Sequence, residues 1–127
     1  MQILKTLFLF LVITVSLPSC YYDVEEELYP VTAGRDTSNV TLSGKVKPII
    51  EGSCYACHSQ TSAQTSGGGY NFESYAGLKS MVDNGKLIKA INHLPGASAM
   101  PKGSTSKIDA CEIKVIEKWV TKGAKND

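Results

Sequence analysis

Cys54-Tyr55-Ala56-Cys57-His58 is the segment whose residue types and spacing point most directly to chemistry. Two thiols separated by two residues on a tight helical turn can each add to one vinyl group of a haem, and the adjacent imidazole then projects toward the iron. Covalent attachment of this kind keeps a cofactor in a small pocket. The same five residues admit three other readings. A thioredoxin-like redox pair belongs in a βαβ pattern, and no strand-rich flank surrounds the motif. A structural zinc site could draw on Cys54, Cys57, Cys111 and either His58 or His93, but it lacks a second closely spaced ligand pair. A Cys54 to Cys57 disulfide would close a very small loop, and such bridges are strained and redox-active. The expected cofactor is one covalently bound haem c, with His58 as the proximal iron ligand.

A haem iron that carries electrons is usually held on both faces, and a methionine opposite the histidine raises its potential. Met81 falls at helical spacing with Leu78 and Val82, which assigns it to core packing. Met100 lies in the loop Gly96-Ala97-Ser98-Ala99-Met100-Pro101-Lys102-Gly103, where Pro101 restricts it to extended backbone. Met100 is the expected distal ligand and His93 the alternative, since a bis-histidine haem would have a lower potential. If His93 does not bind iron, its expected place is partly exposed or near a propionate, tuning the haem from outside. Cys111 has no evident partner. At the start of a helix it is a candidate reactive thiol, and burial as a small apolar residue is the simpler reading.

The elements that must position these residues are helical. Leu42, Val46, Ile49 and Ile50 recur at helical spacing ahead of the motif. Pro48 should kink that helix or sit in the first turn of a shorter one, and Gly52 and Ser53 should break it before Cys54. Ser59 to Gly69 reads as a polar loop, with Gly67-Gly68-Gly69 letting backbone pass close to the haem edge. Ser74 is placed to cap a short helix carrying Tyr75, Leu78, Met81 and Val82, Asn84-Gly85 to turn the chain, and Lys86 to Ile91 to form a second short helix. Asp109 and Glu112 form a capping box ahead of Val115, Ile116, Trp119 and Val120, and Gly123 supplies the stop.

The order of these parts resembles the class I cytochrome c family, from Leu42 to Gly123. In that family a helix leading into C-x-x-C-H packs across a terminal helix, with a Met-Pro ligand loop between them, and Met100-Pro101 stands 42 residues after His58. The resemblance implies an all-α fold, a small cytochrome c-like domain with helices and long loops around one haem, and Trp119 as the large aromatic of the terminal helix. It also implies electron transfer with Fe(II)/Fe(III) cycling rather than catalysis, so the chain would be an electron carrier, alone or as a subunit or partner of an oxidoreductase. A haem-based sensor or gas-binding module with a labile sixth ligand is the alternative.

The remaining sequence reads as an address. Lys5 precedes the apolar run Thr6 to Leu17, which is short for a membrane span and suits an export signal. Leu17-Pro18-Ser19-Cys20 resembles the lipobox of bacterial lipoproteins, and the acidic stretch after it is similar to the leaders of Bacteroidetes-type lipoproteins. The expected organisation is a signal peptide over 1–19, an acidic tether over 20–38 and a monohaem domain over 39–127. Cys20 would carry the lipid that holds the chain on a bacterial membrane, at the periplasmic face or the cell surface. From Cys20 to Thr37 five acidic residues face only Arg35, whereas from Ser38 onward eleven lysines face seven acidic residues. The whole chain of 127 residues carries a formal charge of +1, too little for a nucleic-acid binder. The expected partners are a redox donor and a redox acceptor.

Overall fold

The computed structural model describes residues 37–127, and these are helical, with no strand among them. The expected signal peptide over 1–19, Cys20 and all but the last two residues of the expected tether over 20–38 lie outside the described residues. Among the described residues, no helix is long and apolar enough to cross a membrane.

A π-helical turn, Leu42–Val46, leads directly into α1, Lys47–His58. The Thr41 hydroxyl caps the turn by accepting the Gly44 amide at 3.1 Å. Pro48 has no amide to donate, and it falls in the first turn of α1, where no intrahelical partner is needed. The wider turn precedes it, with the Val46 amide reaching back to the Thr41 carbonyl. The expectation that Gly52 and Ser53 break the helix is corrected: α1 runs unbroken through both to His58. A glycine inside a helix costs about 1 kcal/mol. Ile49 and Ile50 are buried on that helix, and Cys54 and Tyr55 pack against the same core, so burial outweighs the local cost.

The second half is three helices: α2, Tyr75–Asp83; α3, Lys86–Ile91; and α4, Ala110–Thr121. The Ser74 hydroxyl accepts the Gly77 amide and starts α2. Gly85, at φ 70°, turns the chain into α3. Asp109 accepts the amides of Cys111 and Glu112 on its carboxylate to start α4. Gly123 ends α4 at φ 95°.

The terminal helix α4 packs on the π-helical turn and on α3, and α2 packs on α3. Val46, Ile50, Val115, Ile116 and Trp119 are fully buried where these elements meet. Trp119 is both apolar filler and strut, because its indole N–H donates to the Lys125 carbonyl at 2.8 Å. Tyr75 ties α2 to the same end of the molecule through its hydroxyl and the Ala124 carbonyl at 2.8 Å. The core therefore fixes the N-terminal turn, and with it the direction in which α1 carries its cysteines and histidine.

Candidate functional site

Cys54, Cys57 and His58 occupy the last turn of α1, where residues three and four apart share a face. All three line one cavity of about 670 Å³, a size typical of sites for cofactors and other small molecules. Its other walls come from the glycine loop through Gly67 and Gly68, from α2 through Met81, from α3 through Leu87, Ala90 and Ile91, and from the loop that carries Met100. A smaller hollow of about 370 Å³ between Asn39, Thr41, Trp119 and Lys125 contains no cysteine, histidine or methionine.

His58 is held from two sides. Its Nδ1 lies 3.0 Å from the Tyr70 carbonyl oxygen. A carbonyl only accepts, so Nδ1 carries the proton and the lone pair of the neutral ring is on Nε2. The ring stacks on Phe72, with centroids 4.4 Å apart and planes 11° from parallel. Phe72 is fixed in turn by its amide, which donates to the His58 carbonyl at 2.8 Å. Tyr55 reaches the same strip of chain, its hydroxyl donating to the Phe72 carbonyl at 3.5 Å.

The glycine loop comes within contact of this residue. A Cβ on Gly67 would lie 2.4 Å from the Cys57 carbonyl and 3.0 Å from His58 Nδ1, so only a hydrogen fits there. The sequence leads one to expect the Gly67-Gly68-Gly69 run beside a haem edge; in the structure Gly67 and Gly68 line the cavity, and Gly67 lies against the backbone of the motif itself.

The two candidate sulfurs differ in what surrounds them. Met81 is buried, and its Sδ accepts the Asn84 side-chain amide at 3.7 Å, which ties it to the end of α2. Met100 is half-buried with its backbone fixed on both sides: its amide donates to the Ala90 carbonyl at 3.0 Å, and its carbonyl accepts from His93 Nε2 at 2.9 Å. His93 itself does not line the cavity, and its Nε2 is engaged in that bond.

The two cysteines of the motif are unequal. Cys57 is exposed, whereas Cys54 is half-buried, and burial followed by the nearby Glu112 carboxylate pushes its thiol up to about 11. Burial, then Asp109, raises Glu112 in its turn. Cys111 is a half-buried free thiol that does not line the cavity. Among the described residues no three His, Cys, Asp or Glu side chains group as a metal site, so the arrangement with Cys111 as a fourth zinc ligand is not assembled.

Among the described residues the lining is mostly apolar and carries two lysines, Lys86 and Lys102, with no carboxylate. Such a site could hold a flat apolar group bearing anionic substituents, with thiols placed for covalent attachment and imidazole and thioether groups for a soft metal. Reading the sequence missed Phe72, the Tyr70 carbonyl and the lysine pair. The aromatic alternation Tyr70-Asn71-Phe72 directly after the glycines was the available signal for the first two. Comparison with protein-family models, curated proteins and solved structures finds no match to this chain.

Proposed function

We propose that the chain is a membrane-tethered monohaem c-type cytochrome that carries single electrons, with a cytochrome c-like arrangement of its helices. The observation that carries this reading is that Cys54, Cys57, His58 and Met100 line a single apolar cavity, with His58 Nδ1 engaged by the Tyr70 carbonyl so that Nε2 is the nitrogen left for a metal. The donor set suits the group: two thiols for the vinyl substituents, and imidazole with thioether for the iron. Lys86 and Lys102 supply the positive charge that two propionates require.

When bound, the haem supplies a one-electron Fe(II)/Fe(III) couple. The chain contributes the rest. Cys54 and Cys57 hold the group covalently on the last turn of α1. The Tyr70 carbonyl fixes the His58 tautomer and raises the basicity of Nε2 toward the metal. Phe72 fixes the plane of the imidazole. Leu87, Ala90 and Ile91 exclude water from one wall, which keeps reorganisation on electron transfer small. Lipidated Cys20 would anchor the domain outside the cytoplasm, within reach of redox proteins at the same membrane.

The test is expression of the domain in a host with a haem-attachment system, followed by spectra of the parent, Met100→Ala and His93→Ala. His58/Met100 ligation is expected to be lost in Met100→Ala and kept in His93→Ala. Loss in His93→Ala with unchanged ligation in Met100→Ala would transfer the distal role to His93. A sixth position open to carbon monoxide in the untreated ferrous parent would favour the sensor reading.

A further inference from the structure

We propose that His93 is the positioning residue of Met100, a latch that fixes the ligand loop to the end of α3 without touching the cofactor. The inference deepens the haem reading of the cavity and rests on it.

Its first support is a backbone conformation that runs against local preference. Three helices of the domain end with a left-handed residue one place beyond the cap, and at two of them that residue is glycine: Gly85 after α2, at φ 70°, and Gly123 after α4, at φ 95°. After α3 the same position is His93, at φ 54°. The hydrogen bonding there matches the end of α4. His93 donates to the Ala90 carbonyl at 3.2 Å and Leu94 to the Lys89 carbonyl at 2.8 Å, as Gly123 donates to Val120 at 2.9 Å and Ala124 to Trp119 at 3.0 Å. A side chain is disfavoured in this conformation, so the helix end alone would be better served by glycine. Among the described residues Ala124 is the other non-glycine residue at positive φ, and it directly follows Gly123.

The second support is what the side chain does from that position. His93 Nε2 donates to the Met100 carbonyl at 2.9 Å, and the Met100 amide donates to the Ala90 carbonyl at 3.0 Å. Both backbone polar groups of Met100 are thus tied to the C-terminal end of α3, the helix whose Leu87, Ala90 and Ile91 form a cavity wall. The thioether leaves from a backbone fixed at both ends, and the freedom lost on ligation is smaller for it. A local rule broken at one helix end, where a functional loop is held, is a position where conformational cost has been exchanged for placement.

The experiment compares the covalently loaded parent with His93→Gly, His93→Gln and Met100→Ala, titrating each ferric protein with imidazole as a competitor for the sixth position. His93→Gly keeps the left-handed backbone and removes the donor, so it is expected to fold with undiminished thermal stability. Its apparent imidazole affinity should rise about fivefold, the weight of one ordinary hydrogen bond, with a weaker sulfur-to-iron charge-transfer absorption. His93→Gln carries an amide N–H at similar reach and should restore the parent's affinity. Imidazole binding in His93→Gly equal to the parent's, or His93→Gln as weakened as His93→Gly, would overturn the latch. If Met100→Ala binds imidazole more tightly than the parent while His93→Gly does not, only the latch fails. If Met100→Ala matches the parent, or the parent holds no covalent haem, the reading of the site fails and the latch with it.

Discussion

At the scale of residues, the motif contains two thiols with different chemistry. Cys57 is exposed, while burial and Glu112 hold the Cys54 thiol up to about 11, so at neutral pH Cys54 is protonated. In the haem-free protein iodoacetamide should therefore label Cys57 ahead of Cys54, as peptide mass spectrometry would read; equal rates would contradict the burial of Cys54. Glu112 links this thiol to folding. Its folded-state value is raised, so the carboxyl binds its proton more tightly in the folded than in the unfolded chain. The stabilisation this gives is fully present below the unfolded value and is lost as pH rises through the folded one. Glu112→Gln should remove that loss on the alkaline side, leave the Asp109 cap in place, and bring the Cys54 thiol back toward its ordinary value. Urea unfolding and alkylation, each followed against pH, check the two effects. His58 depends in the same local way on Phe72. Phe72→Ala should cost about 3 kcal/mol as a buried aromatic truncation and free the imidazole plane, read by denaturant unfolding and by broadening of the His58 ring resonances.

At the scale of elements, two glycines separate local preference from tertiary fit. Gly52 sits in α1 with open space where a Cβ would go, whereas a Cβ on Gly67 would meet Cys57 backbone at 2.4 Å. Gly52→Ala should stabilise the domain by about 1 kcal/mol, and Gly67→Ala should lower its melting temperature and its haem content together. Reversed signs would mean that the glycine loop does not pass against the motif. The same contrast explains what could be read from the sequence. The caps at Ser74 and Asp109, the Asn84-Gly85 turn and the stop at Gly123 are set by chemistry within a few residues, and each stands where the pattern placed it. The break expected at Gly52 and Ser53 did not occur because Ile49, Ile50, Cys54 and Tyr55 find partners far away in the chain. The Tyr70 and Met100 carbonyls that hold His58 and His93 were illegible for another reason: a backbone acceptor leaves no mark in residue type.

At the scale of the whole molecule, the core and the cavity divide the work. Trp119, Ile116, Val115 and Val46 are fully buried in the core, while a separate, mostly apolar cavity is lined by two lysines. An apolar cavity of this kind leaves side chains without packing partners, so filling it should stabilise the fold. The haem-loaded domain is expected to melt above a Cys54→Ser/Cys57→Ser form of the same chain, by calorimetry. The acidic segment 20–37 and the mildly basic remainder leave little net field, so the electron exchange proposed for this chain should depend only weakly on salt.

The central claim is the covalent bond between this chain and one haem. Its most direct test is the intact mass of the denatured domain after expression with a haem-attachment system. The parent is expected to weigh one haem more than its polypeptide, and Cys54→Ser/Cys57→Ser to show the polypeptide mass alone. A parent that denatures to the bare polypeptide mass would contradict it.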